Sequence, residues 1–270
     1  MAEEKKDMSF LEHLEELRGR LVRAAFGIVA GLIIIVVFYD FVVVEVIMGP
    51  TNEDFITYRM FCDWSHKMGM GEQFCFSLPD EPLQNQLMSG AMNASIMVCV
   101  LGGIILAFPW IILQLWGFIK PGLRQKEQRM VQGIVFFVSL LFFLGVSFGY
   151  FILAPLSFQF LINFTFADVQ NVPTLSSYMK LTTSLVLGTG LVFQLPVLIY
   201  FLTKIGIASS AFLKKYRKHA FVANLIVAAI ITPPDVTSQI LVAMPILLLY
   251  EMSILIASRV EKKRTLQEVS

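Results

Sequence analysis

Apolar residues run through this chain in long unbroken blocks, not in alternation with polar ones. No Asp, Glu, Lys or Arg occurs in 24–39, 82–119, 130–167, 181–203, 219–234 or 236–250. A helix needs roughly 20 apolar residues to cross about 30 Å of hydrocarbon, and a soluble core needs no blocks so long or so uniform. The pattern predicts an all-α integral membrane protein with six spans. The first covers about 22–44 and the second about 89–115, with a kink at Pro109. Residues 130–167 would reach about 57 Å as one straight helix. That block is therefore expected to break at Pro155, with 156–166 lying along the outer interface. The fourth span covers about 179–203. The fifth and sixth form a hairpin about the turn Thr232-Pro233-Pro234-Asp235, the sixth ending near Ser258. Residues 219–234 allow only about 24 Å of helix, so this pair is expected to be short, as a thinned bilayer or packing against neighbours allows.

The polar connections complete the layout. Ser9-Phe10-Leu11-Glu12 fits a capping box. Phe10, Leu14, Leu17 and Leu21 follow at helical spacing, which predicts an amphipathic cytoplasmic helix within residues 1–21 that leads into the first span. Residues 45–88 form a long outer loop, punctuated by Gly49-Pro50 and containing some short helix. Residues 259–270 form a cytoplasmic tail. No internal repeat is evident, which weakens an inverted-repeat transporter reading, and residues 1–270 are read as one membrane domain. The first 20 residues mix acids with bases and lack a short apolar stretch before a small-residue cleavage site, so no cleavable signal peptide is expected.

Charge placement orients the layout. Of the 21 Lys and Arg, all but Arg59, Lys67 and Lys180 fall on one side of the predicted bilayer. This asymmetry places both termini in the cytoplasm. Composition agrees: 56% of residues are hydrophobic and 15% charged, against about a quarter charged in soluble domains. The net charge of +1 says little about partners. Cys99 lies within the second span as a packing residue. Cys62 and Cys75 share the outer loop. They pair if that loop faces an oxidising compartment and are otherwise two free thiols.

Candidate chemistry is sparse. There is no nucleophile elbow, no H-E-x-x-H and no phosphate-cradling loop. His13, His66 and His219 are scattered, so neither a metal site nor a cofactor is expected, and no enzyme. Glu15, Glu16 and Glu127 sit in an otherwise basic cytoplasmic face. One reading is helix solubility and pairing with Arg18 or Arg129. The other is capture of a guanidinium by two parallel hydrogen bonds. Glu251 is the acid well inside a span, placed for snorkelling to the cytoplasmic edge or for a transport pathway. Gln194 beside Pro196, with Thr232, Ser238 and Gln239, adds polar groups that serve as interhelical glue or line a concave face.

Several segments together resemble one family. Phe10-Leu11-Glu12-His13-Leu14-Glu15-Glu16-Leu17-Arg18 resembles the N-terminal H-L-x-E-L-R signature of TatC, the multispanning receptor of the twin-arginine protein translocase. Gln114-Leu115-Trp116-Gly117-Phe118-Ile119-Lys120-Pro121-Gly122-Leu123, followed by Lys126-Glu127, is similar to its Q-x-W-x-F-x-x-P-G-L motif. Gly149-Tyr150-Phe151 with Pro155 matches its third span, and Thr232-Pro233-Pro234-Asp235-Val236-Thr237-Ser238-Gln239 resembles its T-P-P-D-x-x-S-Q turn. Any one of these motifs is weak. The set, in order across nearly the whole chain, is specific.

The resemblance implies an open, glove-like bundle in the bacterial cytoplasmic membrane. It implies binding of twin-arginine signal peptides on folded cargo, recruitment of single-span TatA- or TatB-type partners, self-association in a receptor complex, and export driven by the proton-motive force, with no role for nucleic acid. Carried over by motif, Glu16 and Glu127 bind the arginine pair, and Arg18, Phe118, Pro121 and Leu123 shape that site. Thr232, Gln239 and Gln194 lie where partner helices dock, and Pro50, Tyr150 and Asp235 match outer-side positions. One departure is Gln194, where many members carry Glu; an amide cannot change charge there. The rival reading, a secondary transporter or ion channel, would use Glu251 and Gln194 as its pathway.

Overall fold

The computed structural model of the chain describes residues 10–69, 71, 75, 83–119, 131–165, 172–232 and 236–269. Among these residues the fold is helical, with no β-strand and one isolated parallel bridge between Gln84 and Thr174. The helices are α1 (Phe10–Val37), α2 (Ile56–Lys67), α3 (Gly90–Ile119), α4 (Val131–Phe148), α5 (Ala154–Asn163), α6 (Leu175–Val192), α7 (Leu195–Lys204), α8 (Ser210–Lys215), α9 (Arg217–Ile231) and α10 (Val236–Val269). Five described stretches are long and apolar enough to cross a membrane: Leu14–Val37, Gly90–Phe118, Gly133–Asn163, Leu175–Lys204 and Ser238–Lys262.

The chain divides into two compact units. The first comprises Met1–Val42 and Ile96–Leu140. Here α1 lies against α3, and glycines set how closely. A Cβ on Gly31 would come within 2.6 Å of the Gly103 carbonyl oxygen, and one on Gly103 within 2.9 Å of Leu32 N. A Cβ on Gly102 would strike Ile35 Cδ1 at 2.8 Å, and one on Gly27 would strike Trp110 Cδ1 at 2.2 Å. Gly27 and Gly31 are one turn apart, the small-xxx-small spacing that lets two backbones touch where hydrocarbon offers no hydrophobic drive. The absence of a side chain at Gly27 also lets the Trp110 indole reach the backbone, where its N–H donates to the Arg23 carbonyl at 2.9 Å.

The amphipathic segment and the first span are not separate elements. They form one continuous helix of 28 residues. Nothing in 10–37 breaks it, and Gly19 costs a helix only about 1 kcal/mol. Pro109 lies inside α3 without ending it.

The second unit comprises Val43–Ser95 and Leu141–Ser270. The third block does not break at Pro155 as expected: it stays helical through Asn163, passing through a π-helical segment, Gly149–Leu153, with Pro155 in the first turn of α5 just beyond it. Proline is tolerated in a first turn because its missing N–H is one that would lack a partner there anyway. What proline leaves open is the carbonyl four residues earlier, at Phe151. The Thr57 hydroxyl donates to that oxygen. The same logic operates at Pro50, which has no N–H to return to Val46 or Ile47. The Tyr150 hydroxyl donates to the Val46 carbonyl and the Tyr178 hydroxyl to that of Ile47. The Tyr58 hydroxyl bonds the Pro50 carbonyl at 2.9 Å and lies 3.2 Å from that of Pro155. Burial pushes the Tyr58 phenol above its ordinary ionisation range and keeps it a donor.

Tyr178→Phe is expected to cost about 1 kcal/mol, since the Ile47 carbonyl would be left buried without its donor. Tyr150→Phe should cost no more, because its oxygen is less enclosed. Thermal unfolding in detergent micelles measures both.

Glycines close this unit as well. A Cβ on Gly149 would meet Thr189 Oγ1 at 2.3 Å, and one on Gly145 the Thr189 carbonyl at 2.7 Å. Thr189 Oγ1 lies 2.6 Å from the Leu185 carbonyl of its own helix and 2.9 Å from the Gly145 carbonyl, so α6 meets α4 at hydrogen-bond distance. The core beyond gathers Leu153, Ala154, Leu185, Ala228, Val242, Ala243 and Ile246. The fourth block is interrupted at Phe193–Gln194, between α6 and α7, with Pro196 in the first turn of α7.

The expected shortness of the last two helices holds for one of them. Helix α9 has 15 residues, about 22 Å of helix, less than the hydrocarbon thickness. Helix α10 has 34 residues and runs through the basic tail to Val269. Its Lys and Arg residues continue the helix because straight-chain side chains lose little freedom in it.

Candidate functional site

The glycine contacts of the first unit also position the candidate acids. Along α1 the contacts descend from Ile35 through Gly31 and Gly27, while along α3 they climb from Gly102 through Gly103 to Trp110. The pair is therefore antiparallel, and its next contact is Arg20 on Gly117. A Cβ at Gly117 would lie 2.1 Å from Arg20 Nη1, so the guanidinium rests directly on the α3 backbone. One turn before Arg20, Glu16 points the same way, and Arg20 Nη2 bonds its Oε1 at 3.0 Å. The two side chains are 26% and 25% exposed, Arg20 first. Arg20 Nε is buried with no hydrogen-bond partner among the described residues, as is Gln114 Oε1. Trp116 is buried beside them in sequence, and Phe118 is half-buried. Glu12, Glu15 and Arg18 are exposed. Glu16 thus stands at the end of α3 where the Q-x-W-G-F segment closes, with about a quarter of its side chain exposed. Its ion-pair partner is Arg20, not the Arg18 that proximity in sequence suggested.

Glu127, Pro121, Leu123 and Asp235 lie outside the described residues. Of the outer-side candidates, Pro50 is buried and Tyr150 is half-buried, and the two meet through Val46 as described above. In the outer segment, Gly69 and Gly71 adopt φ of 73° and 65°, backbone angles that glycine takes at little cost. The reversal they make brings Cys75 back to α2. Cys62 and Cys75 are joined in a disulfide with Cα atoms 4.4 Å apart. His66, one turn beyond Cys62, places Nε2 3.5 Å from Cys75 Sγ. This trio was not visible as a cluster in the sequence, because the return turn makes it. With both sulfurs in the disulfide, neither is the thiolate that a metal takes.

The hairpin candidates do different things. Thr232 is buried and its hydroxyl donates to the Ala228 carbonyl at 2.8 Å. Gln239 donates to the Leu225 carbonyl at 3.2 Å, linking α10 to α9. Ser157 and Ser238 share a buried hydrogen bond of 2.8 Å. Gln194 is half-buried at the α6–α7 interruption. Sequence reasoning missed Asn224. It is buried on the short α9, with an amide nitrogen that finds no partner among the described residues. Glu251 is bonded by Arg217 at 2.7 Å, and both side chains are half-exposed. Glu251 thus has a counter-ion in Arg217, which joins α10 to α9.

The profile for "Sec-independent protein translocase protein (TatC)" matches residues 12–245. The chain is 41% identical to the Sec-independent protein translocase protein TatC of Blattabacterium sp. subsp. Periplaneta americana, covering 98% of this chain and 100% of that one. It is 34% identical to TatCy of Bacillus subtilis, with 95% and 91% covered. Among solved structures, a crystal structure described as the twin arginine translocase receptor TatC superposes with a TM-score of 0.73 at 30% identity. That match covers 92% of this chain and 100% of the other.

Proposed function

Because the chain belongs to the TatC family of Sec-independent protein translocases, and is a membrane translocation component rather than an enzyme, we propose that it is the receptor that reads the paired arginines of signal peptides on folded cargo. The observation that carries this reading is the position of Glu16. The α1–α3 pair holds its carboxylate at the end of α3, about a quarter exposed, and already in contact with a guanidinium. A partly dehydrated carboxylate forms the stronger charge-assisted contact, and the site therefore has the chemistry to bind an arginine side chain. Glu127 supplies the second carboxylate in this reading, with Arg18, Phe118, Pro121 and Leu123 around the pair.

The rest of the assignment follows. Six traverses include α9, whose short length is met by a thinned bilayer or by partners, and both ends face the cytoplasm of a bacterial inner membrane. Single-span TatA- or TatB-type helices dock beside the short hairpin near Gln194, Thr232 and Gln239, copies of the receptor associate with one another, and the proton-motive force drives export. Pro50, Tyr150 and Asp235 serve the outer side.

The test is site-specific photo-cross-linking. A photoreactive residue in place of Leu17 or Glu15 should label a twin-arginine signal peptide and leave its twin-lysine counterpart unlabelled. Equal labelling of both peptides would defeat the assignment.

A further inference from the structure

The resting state of Glu16 is already occupied. Arg20 delivers Nη2 to its Oε1 at 3.0 Å, with geometry that goes beyond an ordinary surface pair one turn apart. The guanidinium sits against Gly117, where even a methyl group would lie 2.1 Å from Nη1. Its Nε is buried without a partner among the described residues. Arg20 is therefore pressed into place against α3, and one of its donors is left unused to keep the contact with Glu16. That arrangement resembles a bound arginine ligand more than a solvated lysine-like surface charge.

We propose that Arg20 is a built-in stand-in for the signal peptide's arginine, a residue that sets the affinity threshold of the site. This role rests on the reading of Glu16 as a guanidinium receptor. An incoming side chain binds Glu16 only after displacing Arg20. The fraction of receptors with Glu16 open then scales every ligand's apparent affinity by one common factor. A planar, weakly hydrated guanidinium replaces Arg20 like for like, donating through the same fork. A compact, strongly hydrated ammonium does not, so lysine pairs fall below the threshold that arginine pairs clear. The presence of glycine at 117 has a reason in this scheme: it is the seat of the guanidinium.

A titration of the full-length protein in lipid nanodiscs tests this, using fluorescent twin-arginine and twin-lysine signal peptides. Arg20→Met keeps the aliphatic stem and removes the competitor. It should tighten binding of both peptides by the same factor, about 3- to 10-fold for a partly shielded pair, with their affinity ratio unchanged. Gly117→Ala, which pushes the guanidinium off its seat, should do the same with Arg20 intact. In a Glu16→Ala background, Arg20→Met should change nothing.

Unchanged or weaker binding in folded Arg20→Met and Gly117→Ala proteins would overturn the role. So would a selective loss of the arginine peptide, which would make Arg20 a positioning residue for Glu16. Failure of both variants to accumulate as folded protein would assign Arg20 to the α1–α3 contact instead and would also overturn it. If Glu16→Ala alone leaves twin-arginine binding intact, the receptor reading itself fails. If Glu16→Ala weakens binding while Arg20→Met does not tighten it, only the stand-in fails.

Discussion

A protein carrying both Glu16→Ala and Glu127→Ala is expected to lose more than about 100-fold in affinity for a twin-arginine signal peptide, and export of a folded reporter should fall to background. Each carboxylate would make a charge-assisted contact worth about 1.5–3 kcal/mol, and two of them convert to at least that factor. Glu16→Ala alone should cost about 10-fold or more. The fold should survive. Glu16 is partly exposed, and its pair with Arg20 joins neighbouring turns of one helix, so its loss costs the fold only about 1 kcal/mol. Quantifying membrane-inserted protein by immunoblot beside peptide binding separates the two effects. A receptor that is present, folded and still able to bind the peptide would contradict the assignment.

The largest loss of stability is expected at Gly149. Leucine there would place its Cβ 2.3 Å from Thr189 Oγ1 and 2.9 Å from both the Leu185 carbonyl oxygen and Val186 Cα. Two of those three atoms belong to the backbone of α6 and cannot rotate away. Relief requires α6 to move off the π-helical segment, which separates Thr189 from the Gly145 carbonyl and opens the core around Leu153 and Leu185. Overpacking a filled core costs about 1–3 kcal/mol and more where the backbone must shift, so Gly149→Leu should destabilise by about 3 kcal/mol or more. Gly133→Leu is the control, since nothing lies within 4 Å of its added Cβ. Size-exclusion profiles in detergent after a heating series should show early aggregation of the first variant and not of the second. Comparable midpoints would mean that α4 and α6 do not pack as closely as described.

These two sites differ in how they could be found. The acids stand out in a sequence because they interrupt a basic segment, and hydropathy and motif order identify that segment. The importance of Gly149 is not visible in the same way, since Gly133 on the same helical stretch looks equivalent in composition. The distinction comes from what faces each position, and that depends on the packing of α6, some 40 residues later.

Properties that act locally were legible in the residues alone. Charge-free blocks long enough for a bilayer specify which segments leave water, because burying an unpaired charge in hydrocarbon is prohibitive over any path. Proline specifies where a helix loses a donor, and the π-helical segment Gly149–Leu153 lies just before Pro155. The short α9 follows from the spacing between Lys218 and the Pro-Pro turn. The set of motifs pointed to the family that the comparisons then established.

Tertiary structure alone decided who satisfies what. The carbonyls left open near the prolines are taken up by hydroxyls 94, 104 and 131 residues away, from Thr57, Tyr150 and Tyr178. A break is specified within four residues of its proline, but its hydrogen-bond partner can come from anywhere the fold brings close. The same holds for the return of Cys75 to Cys62 and His66. It holds above all for Arg20, an ordinary basic residue until α3 presents Gly117 beneath it. The physical reason is common to all three: hydropathy and backbone chemistry are properties of a segment, whereas the satisfaction of a particular polar atom depends on the contact between segments.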